Sequence, residues 1–379
     1  MDLQEIRGKL DQIDRQFVEL LEERLDLCGQ VAADKIKTGK AVFDKEREQQ
    51  KLASVRAMAG NEFNARAAEE LFTQLMTISR RLQYQIIEEH GKKIETGFTM
   101  VDSLKKDQIK VVYQGVEGAY SHAAAMQYFG DDVDAYHVKT WEDAMDDVES
   151  GKADYAVIPI ENSSAGAVVD NYDLLIKHHI VIVAETCVAV DHALLGLPKA
   201  ELTDVERVYS HPQALMQCSQ YLNARKDWQQ ISVVNTAIAA QKVVKDGDKA
   251  QAAVCSAYAA KIHGLEVLAD NINDEPDNCT RFIVVTNQKV YLKHASKISI
   301  EFELPHQSGA QSGSLYDLLS HFVYNNINMT KIESRPVKGK QWEYRFFVDF
   351  DGSLEDAAVK NALRGLREEA TNLRILGNY

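Results

Sequence analysis

An apolar residue recurs every three or four positions through most of the first 31 residues, and residues 1–91 contain no proline. This spacing is typical of a long helix with a coiled-coil seam, since it aligns the apolar side chains on one face. A single helix cannot bury such a seam by itself. The pattern therefore predicts a helical bundle that a partner chain closes. The seam residues are Leu3, Ile6, Leu10, Ile13, Phe17, Leu20, Leu27 and Val31.

Three long helices fit this region. Asp2 and Glu5 have the spacing of a capping box, and Gly39 suits the end of the first helix. The second helix is predicted to begin near Asp44, and the third to run from about Ala65 to Glu89.

The seam contains a cation where an apolar residue is expected. Arg24 has no acidic residue three or four positions away, and neither has Lys35, which lies within about 20° of the same helical face. One interpretation is a pocket for an anionic ligand, because a buried unpaired charge is costly. The other is an ion pair with another helix, for example with Glu48 or Glu69. The residues alone leave both open.

Arg7 lies about 25 Å from Arg24 and about 42 Å from Lys35 along a straight helix. If Arg7 serves the same kind of site, it serves one in another chain. Pairing with Asp11 at i+4 is the alternative. Elsewhere in the bundle, Asp44 fits a helix N-cap, and Ser79 and Gln83 fit either surface positions or neutral hydrogen bonds to a ligand.

The composition narrows the possible functions. The 379 residues suggest two to four domains, and the net charge of −14 argues against nucleic acid or an anionic membrane as partner. The N-terminus does not resemble a signal peptide, so a cytoplasmic location is expected. The cysteines are odd in number and far apart, which predicts reduced thiols without a disulfide or a zinc site. They are Cys28, Cys187, Cys218, Cys255 and Cys279.

Beyond the bundle, residues 92–108 are polar and aperiodic and are predicted to be a linker. Strands and helices then alternate over 109–287, which favours an α/β domain with mostly parallel sheets. Residues 297–379 have the βαββαβ order of a ferredoxin-like unit. The predicted strands of the α/β domain are Ile109–Tyr113, Tyr155–Pro159, Ile180–Ala184, Arg207–Ser210, Ala252–Cys255 and Arg281–Thr286.

Several strands of the α/β domain end in hydroxyl or amide side chains. Each of these residues alone fits a turn or a helix cap, but together they predict a carboxylate-binding cleft between two lobes. Thr280 by itself is a good strand former, and Cys279 is expected to be inert. The loop from Gly115 to Gly118 has the form G-x-x-G, which is weak evidence for a dinucleotide. The polar strand ends include Ser163, Ser164, Ser210 and Asn235.

Residues 1–91 resemble the all-helical chorismate mutases, a family of intertwined dimers. The resemblance implies that Arg24 and the partner's Arg7 bind carboxylates and that Lys35 and Gln83 donate to the ether oxygen that breaks. It also implies that Glu48 and the backbone at Asp44 hold the ring hydroxyl. The matching positions are Arg7, Arg24, Lys35, Asp44, Arg47, Glu48, Ser79 and Gln83.

Residues 109–287 resemble prephenate dehydratase, a family with two lobes like those of type-II periplasmic binding proteins. The resemblance implies that Thr280 donates to the leaving hydroxyl and that Arg281 anchors or orders the site. Ser121, Asn162 and Ser163 would line it. Ala119 departs from the family, which often has Ser or Thr there. The matches are Gly115 to Ser121, Glu161 to Gly166, Ser210 to Pro212, and Thr280 to Phe282.

Residues 297–379 resemble an ACT domain, which implies binding of L-phenylalanine and feedback inhibition. A repeat over Gln307–Gly313 lengthens the first loop relative to the family. A plain dimerisation module is the alternative. The effector residues that the resemblance implies are Gly313, Ser314, Leu315, Glu333, Ser334 and Arg335.

Together these resemblances predict a homodimer or higher homo-oligomer that acts on chorismate and prephenate without a cofactor or metal. One rival is a binding protein without catalysis, which the apparent absence of a signal peptide and the intact helical site disfavour. The other is a mutase fused to prephenate dehydrogenase, which would need a G-x-G-x-x-G fingerprint.

Overall fold

The computed structural model describes residues 1–91, 93–305 and 314–379. The chain forms two compact units. Unit 1 combines Met1–Gly97 with Ser296–Ile375, and unit 2 combines Phe98–Ala295 with Leu376–Tyr379. The N-terminal helices therefore share a unit with most of the C-terminal βαββαβ segment.

The N-terminal part of unit 1 consists of three helices, as predicted. Asp2 and Glu5 form the capping box, and Gly39 ends the first helix in the left-handed conformation at φ 69°. The Asp44 side chain accepts a hydrogen bond from the Arg47 amide, which confirms its capping role. The helices are α1 (Leu3–Thr38), α2 (Lys45–Met58) and α3 (Glu62–His90).

The apolar seam of α1 is largely open in the single chain. Ala32 is the one buried residue of this 36-residue helix, whereas Phe17 is 42% exposed and Leu20 is 64% exposed. Helix α1 packs on α3. The rest of the seam has no cover from the described part of its own chain.

Unit 2 has two lobes, each built on a five-stranded sheet. The first-lobe sheet has the order β3-β2-β4-β12-β6, and the second-lobe sheet has the order β11-β7-β10-β8-β9. The elements are β1 (Thr99–Val101), β2 (Lys110–Gln114), α4 (Tyr120–Phe129), β3 (Asp134–Val138), α5 (Trp141–Glu149), β4 (Tyr155–Asn162), β5 (Gly166–Ala167), α6 (Val169–Lys177), β6 (Val181–Ala189), β7 (His192–Gly196), β8 (Arg207–Ser210), α7 (Pro212–Gln217), α8 (Ser219–Asn223), β9 (Gln229–Ser232), α9 (Thr236–Asp246), β10 (Gln251–Ser256), α10 (Ala257–His263), β11 (Glu266–Ala269), β12 (Cys279–Thr286) and β13 (Val290–Leu292).

The prediction of mostly parallel sheets is wrong, because both sheets are mixed. Strand β12 runs antiparallel to β4 and β6, and β7 runs antiparallel to β10 and β11. Strand β7 pairs with β10 and β11, and β6 pairs with β12, although β6 and β7 follow one another in the chain. The order of the strands along the chain therefore does not give the direction of their neighbours in the sheets.

The predicted linker over 92–108 is also wrong in part. Strand β1 lies within it and pairs in parallel with β13, through the register Thr99 to Val290. A three-residue strand is too short to produce a recognisable alternation of apolar and polar residues, so the sequence did not reveal it.

The C-terminal segment has the predicted βαββαβ order. Its strands are arranged β15-β16-β14-β17, which is the ferredoxin-like arrangement. Phe322 of the first helix and Phe350 of the sheet are fully buried in its core. The predicted effector residue Gly313 and the repeat over Gln307–Gly313 lie outside the described residues. The elements are β14 (Lys297–Glu303), α11 (Ser314–Tyr324), β15 (Met329–Pro336), β16 (Tyr344–Asp351), α12 (Ala357–Glu369) and β17 (Thr371–Asn378).

The two lobes of unit 2 meet closely at Gly118. This glycine has φ +84°, and a Cβ there would lie 3.1 Å from His263 Nε2 and 3.3 Å from the Cα of Ala259 on α10. The glycine thus serves a close backbone approach. Its amide donates to His122 Nδ1 at 3.1 Å, so this amide is not available to an anion in the structure.

We expect Gly118→Ala to destabilise unit 2 more than Gly130→Ala does. Both glycines have positive φ, but a Cβ at Gly130 would meet nothing within 4 Å. Gly130→Ala should cost about 1–3 kcal/mol through backbone strain alone. Gly118→Ala should cost a further 1–3 kcal/mol, roughly, from overpacking against α10. Urea unfolding of both variants measures the difference, and equal losses would contradict the close-approach argument.

Candidate active sites

The seam cation Arg24 meets only neutral groups. Its guanidinium donates to the hydroxyl of buried Ser79 and to the Leu75 carbonyl, the latter at 3.3 Å. Neither carboxylate considered as a partner is available, because Glu48 pairs with Arg80 and Glu69 pairs with Arg56. Over the described ranges Arg24 has no ion-pair partner. The alternative interpretation, an ion pair of Arg24 with Glu48 or Glu69, is therefore wrong.

Lys35 is the second cation on this face of α1. Its Nζ donates to the Val42 carbonyl at 2.8 Å. Burial lowers the pKa of Lys35, while the charges of Glu368, Asp44 and Glu48 act in the opposite direction. Like Arg24, it directs a hydrogen bond at a neutral acceptor.

Ser79 and Gln83 lie next to Arg24 rather than on the surface. Gln83 is buried, and its Nε2 donates to the Ser79 carbonyl at 3.2 Å. Its Oε1 is buried and accepts no hydrogen bond from the residues that the structure describes. A buried polar atom without a partner is costly and often marks a ligand site. Arg7, Asp44 and Arg47 are exposed.

Glu48 is held by a residue that the sequence analysis did not single out. Arg80, on α3, places its Nη1 2.6 Å and 2.5 Å from the two carboxylate oxygens of Glu48. Arg80 follows Ser79 directly in the sequence, but its partner is 32 residues away. Its role was not evident from helical spacing for that reason.

In unit 2 the structure brings Thr280 and Asn162 together. They are register partners on β12 and β4, and Asn162 Nδ2 donates to Thr280 Oγ1 at 2.9 Å. The orientation of this amide is fixed, because its oxygen accepts from the Ser164 amide, the Ser164 hydroxyl and the Ala165 amide. Thr280 Oγ1 therefore accepts from Asn162, and its own proton is free to be donated elsewhere.

Asn278 anchors this arrangement. It is 4% exposed, and its side-chain oxygen accepts from Asn162 Nδ2 at 2.8 Å and from the Ser163 hydroxyl at 3.4 Å. Ser163 Oγ also accepts from the Cys279 amide at 2.9 Å. Asn278 is not among the predicted site residues, although it stands two residues before Thr280.

A cavity of about 410 Å³ lies beside this network, with Ser164 and Asn278 in its wall. Gln217 lines it from the second lobe and donates to the Ser164 hydroxyl at 2.9 Å. The side-chain oxygen of Gln217 lies 3.1 Å from His192 Nε2, and burial lowers the pKa of His192. Residues of both lobes therefore line the cavity.

The other predicted residues of unit 2 have different surroundings. Ser121 is buried in the first turn of α4, and the described hydrogen bonds do not connect it to Thr280. Ser210 donates to the Val254 carbonyl at 2.6 Å, and Asn235 caps α9. Arg281 lies between Glu185 at 3.1 Å and Glu161 at 3.5 Å.

The prediction of reduced cysteines is wrong for one pair. Cys187 on β6 and Cys279 on β12 form a disulfide, with a Cα–Cα distance of 6.3 Å. They are 92 residues apart in the sequence, so only the pairing of the two strands reveals their proximity. Cys28, Cys218 and Cys255 are free thiols, as predicted.

Two known families match the chain. The chorismate mutase type II family model matches residues 6–84, and the prephenate dehydratase model matches residues 111–290. A bifunctional chorismate mutase/prephenate dehydratase from Escherichia coli (strain K12) is 31% identical over 379 residues, covering 99% of this chain and 95% of the relative. The enzyme of the same description from Aquifex aeolicus (strain VF5) is 31% identical and covers 100% of this chain and 98% of the relative.

The chain belongs to the bifunctional chorismate mutase/prephenate dehydratase family. Among solved structures, prephenate dehydratase from Arthrobacter aurescens in complex with L-Phe has a TM-score of 0.66 at 31% identity, covering 72% of this chain and 89% of that chain. The enzyme thus rearranges chorismate to prephenate and converts prephenate to phenylpyruvate with loss of water and carbon dioxide. Arg24, Lys35, Ser79 and Gln83 lie within the residues that the mutase family model matches. Asn162, Asn278 and Thr280 lie within those that the dehydratase model matches.

One group in the described parts of this bifunctional enzyme has side chains suited to a metal, namely Asp146, Glu149 and His178. His178 Nδ1 lies 2.8 Å from a carboxylate oxygen of Glu149, within hydrogen-bonding distance. None of the described helices combines the length and the apolar character that crossing a membrane requires.

The fixed amide of Asn162 leads to a prediction for the dehydratase. Asn162→Asp replaces the donor facing Thr280 with an acceptor, which would take up the hydroxyl proton. We expect dehydration to slow by about 10²-fold or more, since this is the usual contribution of a positioned acid. Mutase activity, assayed with chorismate, should be unchanged. Ser164→Ala removes one of three groups that hold the amide oxygen and should cost less. Wild-type dehydration by Asn162→Asp would contradict the assignment.

Proposed function

We propose that Arg24, Lys35, Ser79 and Gln83 form the core of the mutase site. The rearrangement needs neither a nucleophile nor proton transfer, so catalysis consists of holding a compact dianion and stabilising charge on the ether oxygen. Arg24 binds a carboxylate with help from Ser79. Lys35 and Gln83 donate to the ether oxygen. The observation that carries the proposal is that both cations contact only neutral acceptors.

The ring hydroxyl of chorismate is assigned to Glu48 and to the backbone at Asp44, with Arg47 as an outer carboxylate contact. Glu48 is partly exposed, which leaves an edge of its carboxylate accessible to a ligand. These assignments follow the family pattern at matching positions.

The proposal includes an intertwined homodimer in which the partner subunit's Arg7 completes each mutase site. Helix α1 is continuous from Leu3 to Thr38, so Arg7 lies about 25 Å from Arg24 of its own chain. The exposed seam of α1 supports a second copy as its cover, because an apolar stripe of this length is rarely left in water.

For the dehydratase we propose that Thr280 is the acid. Its Oγ1 proton is donated to the leaving hydroxyl of prephenate while the carboxylate is lost as carbon dioxide and the ring becomes aromatic. Asn162 and Ser163 hold Thr280 and the substrate, and Ser121 lines the cleft. Arg281 is assigned an ordering role, since two carboxylates already flank it.

The C-terminal segment is proposed to be an ACT domain that binds L-phenylalanine and inhibits the enzyme. The ferredoxin-like order and the L-Phe complex of the Arthrobacter aurescens relative support this. Ser314 and Leu315 open α11. Glu333 and Arg335 share one face of β15, and Ser334 lies on the other. The proposal also includes a cytoplasmic location and catalysis without a cofactor or metal.

Two substitutions separate the two sites. Lys35→Ala should lower mutase kcat by about 10²–10³-fold, because a donor to the developing charge is lost. Thr280→Ala should abolish dehydration and leave the mutase intact, whereas Thr280→Ser should retain part of the dehydratase. The assays follow prephenate from chorismate and phenylpyruvate from prephenate. An active dehydratase in Thr280→Ala would refute its role as acid.

Complementation tests whether Arg7 acts in the partner's site. Arg7→Ala and Arg24→Ala should each lose mutase activity as homodimers. In an equal co-expression about half of the dimers are hybrids with one intact site, so about a quarter of wild-type activity should return. The control is each variant expressed alone at the same total level. A mixture that stays inactive would place Arg7 outside the partner's site.

A further inference from the structure

The carboxylate of Glu48 belongs to an ion network that extends into the C-terminal segment. Arg80 contacts both oxygens of Glu48, and its Nε lies 3.0 Å from Glu369, the last residue of α12. The side chains of Arg80 and Glu369 are 9% and 7% exposed. One buried guanidinium is therefore shared between a mutase residue and α12.

The surroundings of Arg80 favour its charged form. Burial disfavours its charge, but Glu369 and then Glu48 outweigh burial, and the pKa of Arg80 is raised as a result. Phe43 adds a cation–π contact at 5.1 Å. Removing one partner from such a buried ion pair strongly destabilises the fold, because the other charge is left buried without a partner.

The neighbouring residue of α12 contacts the other side of the mutase site. Glu368 accepts hydrogen bonds from the Val42 and Phe43 amides at 2.8 Å and 2.9 Å. The Val42 carbonyl is in turn the acceptor for Lys35. Two adjacent carboxylates of α12 thus reach both Lys35 and Glu48, each through one intermediate.

A cavity of about 160 Å³ lies against this network. Its wall includes Glu48, Arg80 and Glu369, together with Ser314 at the start of α11. Ser314 is one of the residues expected to contact the effector. A ligand that displaced residues of this wall would therefore displace members of the ion network.

We propose that Arg80 is a positioning residue for Glu48 and that Glu368 and Glu369 make α12 a support of the mutase site. The inference rests on the proposed roles of Glu48 and Lys35. An amino acid bound beside Ser314 would then alter the mutase by shifting α12, without contacting chorismate.

The first experiment compares Glu369→Gln with Glu355→Gln. Glu355 is exposed and lies just before α12, so its variant controls for the loss of one carboxylate. Glu369→Gln should lower mutase kcat by about tenfold or more, with little change in KM. The reason is that the orientation of the Glu48 carboxylate changes while chorismate still binds. Dehydration of added prephenate should be normal in both variants, and an unchanged helix content by circular dichroism checks that unit 1 is folded.

The second experiment asks whether Arg80 acts through Glu48. Arg80→Met should lower mutase kcat by about 10-fold to 100-fold in the wild-type background and cause little further loss in Glu48→Gln. Arg80→Lys should restore part of the rate. If Arg80→Met does not fold, as a loss of helix content by circular dichroism would reveal, Arg80→Lys and Glu369→Gln decide.

The outcomes distinguish the two proposals. Wild-type mutase activity in Glu48→Gln would remove the role proposed for Glu48 itself. A Glu48→Gln defect, combined with an equal effect of Arg80→Met in both backgrounds, would overturn the positioning role alone. A Glu369→Gln rate equal to that of Glu355→Gln would overturn the link to α12.

Discussion

Charge that is removed from water must be paired, and the partly or fully buried cations of unit 1 meet this requirement in different ways. Arg80 and Arg345, whose side chains are 9% and 17% exposed, each contact two carboxylates. Arg24 and Lys35 donate only to hydroxyl and carbonyl oxygens. The chain has 57 acidic and 43 basic residues, so acids are not scarce. Their placement leaves Arg24 and Lys35 without a carboxylate in contact among the described residues, as the binding of a dianionic substrate requires.

The proposed dehydratase site is organised differently. At Thr280 the contacts come from amide and hydroxyl groups, and the Asn162 amide nitrogen contacts Asn278 Oδ1, Thr280 Oγ1 and the Cys279 carbonyl. A satisfied polar network is rigid, so it can hold a single hydroxyl proton in one direction. The reaction demands little more, because the formation of an aromatic ring drives the loss of water and carbon dioxide. The two active sites thus suit two kinds of chemistry: one stabilises charge and the other directs a proton.

Local features were predictable from the sequence, and features that depend on chain folding were not. The capping box at Asp2, the stop at Gly39 and the N-cap at Asp44 each involve residues within four positions of one another. Asn162 and Thr280 were identified through family resemblance, but their hydrogen bond depends on the pairing of β4 with β12. Arg80 and the Cys187–Cys279 disulfide escaped prediction, since their partners are 32 to 289 residues away. The sheet directions failed for a related reason, because strand spacing does not encode which strand becomes a neighbour.

The open seam of α1 has a consequence for how the two activities scale. If two chains build each mutase site, as proposed, the site exists only in dimers, whereas the candidate dehydratase residues all come from one chain. At chain concentrations well below the dimer dissociation constant, the amount of assembled mutase would grow with the square of the chain concentration and the amount of dehydratase in direct proportion to it. Expression level would then set the ratio of the two steps, and a sparsely expressed enzyme would consume prephenate faster than it makes it.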